Sequence, residues 1–394
     1  MRNKKIIVTM AGLASIGVLA IGGLTNSHAQ YTGVRSITLQ SDKVLQLASG
    51  KYSGVVPKDG YYVVQMRGGD GATNMSVTDK DIKTHQGGEG GYVEAIYKLN
   101  RGQTISANVG TSGSNGTGTA ATQGSNADTN DAKGGKGGFS VTFGKPWQTT
   151  VTAKAGGGGG SSDFRVDGTR VAAAGGGGGA AGGSSLANGA GEGGSGGYLF
   201  ANTISKSGFN GEDGYGSTNN TSLAGTGATI TEAGKHGTTA TSDYPVWATY
   251  AGESGSGANG GSAGVPNGTY TFTPTAGGGG GAGWFGGGGG NSAVGGNSTF
   301  ASDIAKKSGG GGGGSTNAVS AAMTNIDPIL TTIKQNNGPD LTSFRPSNVT
   351  AGAHLGGGKD QAGKAQIYYI GETLPGTDNV GLYSVPMSEP KGSK

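Results

Sequence analysis

The sequence predicts a mainly β protein, an antiparallel β-sandwich combined with a bundle of polyglycine-II helices and almost no α-helix. Three observations predict it. Glycine supplies 89 of 394 residues, about three times its usual ~7% share. Pure glycine runs of nearly matched length recur at 156–160, 175–179, 277–281, 286–290 and 309–314, with a shorter one at 356–358. Between them, apolar and aromatic residues cluster in short segments of β character. Collagen is excluded, because proline is scarce and no strict Gly-X-Y period runs through the chain.

The N-terminus opens with Arg2, Lys4 and Lys5, continues as an apolar run from Ile6 to about Leu24, and ends in small residues at Ser27 and Ala29. This pattern predicts a secretory signal peptide over residues 1–29, with an uncleaved membrane anchor as the alternative. No apolar run after Gln30 is long enough for a bilayer span. The processed chain is therefore expected to be secreted, or held non-covalently at a cell surface. Removing the three leader cations from 28 basic residues leaves 25 against 24 acidic ones. The balance is near neutral, and no basic run carries interleaved aromatics, which argues against nucleic acid as a partner. The chain has no cysteine, which excludes disulfides and thiolate metal sites and, for an exported chain, points to a Gram-positive bacterium.

Residues 30–151 read as a sandwich-like domain. Thr38–Val44, Val55–Met66, Tyr92–Leu99, Gln103–Val109 and Phe139–Phe143 predict strands. Asn100-Arg101-Gly102 supplies a turn between the third and fourth. Residues 152–370 read as the glycine-rich bundle with hairpin and loop insertions, followed by a loose tail over 371–394. Between the first two runs, Asp167-Gly168 at the centre of Asp163–Val171 predicts a type I′ hairpin, whose two central residues need positive φ. Tyr244, Trp247, Tyr250, Tyr270 and Phe272 imply short strands. One helix is expected, with Asp327 as N-cap, Pro328 at the first position and Ile329, Leu330 and Ile333 on one face. Ala365–Ile370 predicts a closing strand.

Glycine runs admit two readings. One is flexible coil, the default for Gly/Ser sequence. The other is an extended helix with three residues per turn and no internal hydrogen bonds. Such a helix leaves every N–H and C=O in need of an outside partner, and only glycine lets neighbours approach closely enough on all sides to supply one. Ordering glycine is costly in entropy, so an isolated run stays disordered and only mutually bonded runs become cooperative. The purity, matched length and aromatic or hairpin spacers of these runs favour the packed reading.

Several motifs follow one another in a characteristic order. Tyr61-Tyr62-Val63-Val64-Gln65-Met66-Arg67-Gly68-Gly69-Asp70-Gly71 leads to Gly87-Gly88-Glu89-Gly90-Gly91-Tyr92, then to Leu99-Asn100-Arg101-Gly102-Gln103-Thr104-Ile105 with Val109-Gly110. Gly134-Gly135-Lys136-Gly137-Gly138-Phe139 comes next, followed by the hairpin between two glycine runs. This order resembles the glycine-rich domain family found in anaplastic lymphoma kinase-type receptors, bacterial surface proteins and phage tail-tip adhesins. The resemblance covers about 55–200 well and 275–370 loosely. It implies a sandwich bearing a polyglycine-II bundle, a role in binding a protein or receptor, and no catalysis. Met66 stands where the family often has an aromatic residue.

No catalytic, cofactor or metal constellation is expected. GxGxxG matches arise by chance at this glycine content and none sits in a βαβ setting. Gly193-x-Ser195-x-Gly197 and Gly260-x-Ser262-x-Gly264 lack the strand–turn–helix context of a nucleophile elbow. Gly356-Gly357-Gly358-Lys359-Asp360 lacks the Ser/Thr of a phosphate loop, and His85, His236 and His354 lack metal-ligand spacing. The candidate partner-binding residues are Arg165, Asp167 and Arg170 at the hairpin, Tyr244, Trp247 and Tyr250, and Trp284 with Phe285, since loop aromatics and arginines dominate interfaces. For Trp284 and Phe285 the competing reading is packing against the glycine bundle. The expected partner is a protein or glycan on a host or neighbouring cell surface, with self-association as a further expectation. The leading expectation is an adhesion or recognition protein; the alternative is a structural subunit of a matrix, filament or surface layer.

Overall fold

The computed structural model describes residues 33–77, 82–114, 132–142, 151–182, 192–200, 203–205, 224–237, 246–264, 276–295, 312, 314, 318–319, 326–346 and 358–375. Among them the protein is mainly β, with a single α-helix, α1 (Asp327–Gln335), and a short 3-10 helix, Leu341–Phe344. Two six-stranded sheets form the sandwich. The first has the order β1 (Val34–Ile37), β3 (Gly50–Val55), β8 (Thr104–Val109), β11 (Ser162–Val166), β12 (Thr169–Ala174) and β17 (Ala318–Val319). The second has the order β14 (Thr203–Ser205), β13 (Tyr198–Phe200), β7 (Tyr92–Leu99), β4 (Gly60–Arg67), β18 (Lys364–Gly371) and β2 (Leu45–Leu47). Pairing is antiparallel except for β1 with β3 and β13 with β7. Three two-stranded ribbons accompany the sheets: β5 (Asn74–Val77) with β6 (Ile82–His85), β9 (Phe139–Thr142) with β10 (Val151–Lys154), and β15 (Val246–Tyr250) with β16 (Ser292–Gly295).

Alternation along each strand builds the core. Tyr62, Val64 and Met66 of β4, Val93, Ala95 and Tyr97 of β7, and Ile367 of β18 face Tyr52, Ile105, Ala107 and Phe164 of the first sheet. The second sheet is also covered on its other face. There Val63 and Ile96 pack against Ile329, Leu330 and Ile333 of α1 and against Leu341. Double coverage explains why Tyr61–Val64 reads as a continuous apolar run and not as alternation. The helix stands where the sequence places it, with the expected face buried. Its start differs, because Asp327 lies inside the first turn and Ile326 occupies the cap position without a side-chain cap. Asp327 is instead drawn to Arg345.

Other expectations shift at their edges. Thr38–Val44 is irregular and separates β1 from β2, while Val55–Met66 divides at the Pro57–Asp59 turn into β3 and β4. Tyr270 and Phe272 lie outside the described residues. Both sheets take strands from either side of residue 151, so the expected boundary there runs through the sandwich.

The glycine runs form a lattice of mutually bonded extended chains. Its centre is the 175–182 run. Gly176 and Gly179 donate to Ala282 and Gly279, Gly177 and Ala180 donate to Gly69 and Ala72, and Gly178 donates to Gly194. In return its carbonyls accept from Gly88, Gly91, Gly156, Gly159 and Gly312. Donors to one neighbour recur every third residue, the signature of a helix with three residues per turn. The neighbours are 68–72, 87–91, 155–161, 192–197, 276–282 and Gly312, a hexagonal surround. Glycine is required by space and not by backbone angle: none of these run glycines has φ in the left-handed region. A Cβ at Gly177 would sit 1.9 Å from the Gly88 carbonyl oxygen.

The lattice and the sandwich are one continuous structure. β4 runs on into 68–72, β8 into 110–114 and β12 into 175–182, while 87–91 feeds β7, 155–161 feeds β11 and 358–363 feeds β18. The hairpin turns one run back on the next as the sequence predicts. Asp167 and Gly168 have φ of 49° and 80°, and Gly156 and Gly159 donate to Ala180 and Gly177 across the antiparallel runs.

Candidate functional site

The hairpin residues meet the Trp284 loop on the outer face of the first sheet. Arg165 and Arg170 are cross-strand partners in β11 and β12. Both face Asp163, a buried carboxylate that lies 3.2 Å from Arg165 Nε and 3.9 Å from Arg170 Nε and accepts from Asn108 Nδ2 at 3.1 Å. Two cations over one desolvated carboxylate satisfy a charge that could not otherwise be buried. The Arg170 guanidinium also stacks over the Trp284 ring at 5.2 Å and donates to the Gly283 carbonyl at 3.1 Å. Trp284 is 2% exposed and packs on Ala173, with Phe285 half-buried beside it. The indole Nε1 finds no acceptor among the described residues.

This geometry sorts the sequence candidates. Trp284 is a seal where lattice meets sheet, in keeping with the packing reading, and offers no surface to a partner. Arg170 is held against it. Arg165 is half-buried and folded back toward its own sheet, so the hairpin does not project two free arginines. Asp167 is fully exposed, yet its carboxylate accepts from Thr104 N at 2.8 Å and Gln103 Nε2 at 2.9 Å. Those hydrogen bonds lower its pKa and tie the hairpin tip to β8. Arg165, Arg170, Trp284 and Phe285 therefore come together in one cluster. Trp247 and Tyr250 belong to β15 of the β15–β16 ribbon, and Tyr244 lies outside the described residues.

Sequence reasoning missed two buried carboxylates that organise the molecule. Asp70 accepts from the backbone N–H of Gly90, Lys359 and Gln361 at 2.9, 2.9 and 3.1 Å, and pairs with Arg67 at 2.9 Å. One side chain thereby joins three lattice segments. Its signal was a lone aspartate in Arg67-Gly68-Gly69-Asp70-Gly71, the one acidic residue amid backbone donors. Glu94, also fully buried, is paired with Arg345 and lies within hydrogen-bonding reach of Gln65 and Tyr92. Burial, then the Glu94 charge, pushes the Tyr92 hydroxyl well above its usual pKa. No distant pairing of this kind is visible in a single sequence.

Ser195, the centre of a nucleophile-elbow text match, accepts from the Glu89 N–H at 3.0 Å inside the lattice. Among the described residues no group of three or more His, Asp or Glu side chains converges on a point that could hold a metal. No helix among them is long and apolar enough to cross a membrane. Comparison with protein-family models finds no matching family, and comparison with curated proteins finds no relative.

Proposed function

We propose that this chain is a secreted or cell-surface recognition protein in which the glycine lattice is a rigid frame for binding loops. One observation carries the reading. The lattice is cross-bonded through its backbone on all sides of the 175–182 run, so stiffness is achieved without side chains. The segments 115–131 and 206–223 are rich in Ser, Thr, Asn and Gly in sequence, the adaptable polar vocabulary of recognition loops. The motif order shared with the glycine-rich domain family points the same way. Labelled protein should bind intact host or neighbouring cells saturably, and binding should fall when surface glycans or proteins are stripped. Uniformly non-saturable binding would reject the reading.

A second reading, assembly into a matrix or filament, draws on one feature. Among the described residues β1 is the last strand at one edge of the first sheet, with Val34 64% exposed, and sheet edges invite strand pairing between copies. Size-exclusion with light scattering across a wide concentration range separates the two. A persistent monomer rejects assembly.

A further inference from the structure

We propose that a cleft at one end of the sandwich binds a neutral pyranose ring. It measures about 260 Å³ and is lined by Leu39 and Asp42 from the β1–β2 connection, Pro57 and Lys58 from the β3–β4 turn, Tyr62 and Tyr369. This is below the ~300–1,000 Å³ of sites for drug-sized ligands, and suits one ring. Tyr62 and Tyr369 form a tilted pair with centroids 5.0 Å apart at 48°. Tyr62 is fully buried and backs the half-buried Tyr369. With Leu39 and Pro57 they give an apolar wall for the C–H face of a sugar.

The polar groups narrow the ligand class. Tyr62 Oη donates to the Lys58 carbonyl at 2.8 Å, and Tyr369 Oη donates to the Asp59 carbonyl at 3.2 Å. A phenol has one proton, so the Tyr369 hydroxyl, the one of the pair that reaches the cleft, retains only acceptor capacity for a ligand. Ionised Asp42 also only accepts, whereas the Lys58 ammonium only donates. Opposite charges at one cleft disfavour an anion or a cation alone. They favour a neutral solute with donors and acceptors around its rim, which is the chemistry of a hexose. The inference deepens the recognition reading and rests on it for its biological sense.

Saturation-transfer NMR on the full exported chain tests it, with glucose, galactose, mannose and N-acetylglucosamine as probes and choline and methyl phosphate as charged controls. At least one hexose should receive saturation, with Kd on the order of 1 mM. Tyr369→Ala should weaken it by about tenfold or more, and Tyr369→Phe should retain it. Asp42→Ala, in an exposed connection, should weaken it with an unchanged melting temperature. No transfer to any sugar, transfer unaffected by both alanine variants, or transfer to choline or methyl phosphate alone would overturn the proposal. A glycan array then separates a free sugar from a chain terminus. Cell binding that survives in a Tyr369→Ala protein unable to bind hexose would reject the cleft as the adhesive site and leave the recognition reading standing. Hexose binding without cell binding would do the reverse.

Discussion

Two glycines show how differently one residue type can be constrained. At Gly168 the backbone is left-handed with φ of 80°, and a Cβ there would meet nothing within 4 Å. At Gly177 the φ is ordinary, but a Cβ would lie 1.9 Å from a backbone oxygen. Gly168→Ala should therefore cost only about 1–2 kcal/mol of left-handed strain. Gly177→Val must displace a neighbouring run, and overpacking of that kind costs at least about 1–3 kcal/mol. Chemical denaturation should rank Gly177→Val well below Gly168→Ala, and equal losses would contradict the lattice. A third residue makes a pH prediction. Asp340 is held at about 2, chiefly by hydrogen bonds from Lys334 and Thr342. A carboxyl depressed in the folded state stabilises fully above its ordinary 3.8 and loses that contribution as pH falls toward 2. Asp340→Asn should accordingly flatten the stability profile between pH 4 and 2, as followed by circular dichroism.

At the scale of elements, the segment 326–346 is latched to the sandwich by an ionic clamp. Arg345 Nε donates to Glu94 at 2.9 Å, and its NH2 group pairs with both Glu94 and Asp327. Burial pulls the guanidinium pKa down, but these two carboxylates outweigh it and the net shift is upward. Arg345→Ala would leave Glu94 buried and uncompensated, a loss of about 3–5 kcal/mol. Arg345→Lys should recover only part of it, because an ammonium cannot reproduce the fork. Hydrogen exchange should show α1 opening before the sheets in either variant. The helix itself was legible in the sequence, since its apolar spacing and Pro328 are local signals. Its cap was not, because Asp327 is claimed by a partner 18 residues away. Likewise β7, β8 and β18 were legible from their apolar runs, whereas β1 and β2 are short and mostly exposed, and their pairing with distant strands decides them. The Arg165–Arg170 cluster was legible as residues but not as a role, since Asp163 and Trp284 turn both side chains inward.

At the scale of the molecule, strands pass directly into lattice runs, so sheet and lattice are expected to unfold together. Amide exchange should be slow across Gly156–Gly160 and Gly175–Gly179, as slow as in β4 and β7, and coil-like exchange in the runs would refute the packed state. This coupling also explains how such costly ordering is sustained. Glycine forfeits the most entropy on folding, and hydrogen bonds alone return little net stability. The aromatic core between the sheets supplies the hydrophobic term that holds the run ends in place.

The threefold screw finally makes length a matter of counting. One extra glycine after Gly179 would move Ala181 into the place of Gly182, where a Cβ would lie 1.8 Å from the Lys154 carbonyl oxygen. Two extra would put Ala180 there. Three would restore glycine at that place and return every donor to its own neighbour, one turn further along. The three-residue insertion should fold with near-native melting temperature, and the one- and two-residue insertions should not. The 175–182 run should thus accept added length in steps of three residues, so the spacing of its tolerated insertions is a readout of the helix itself.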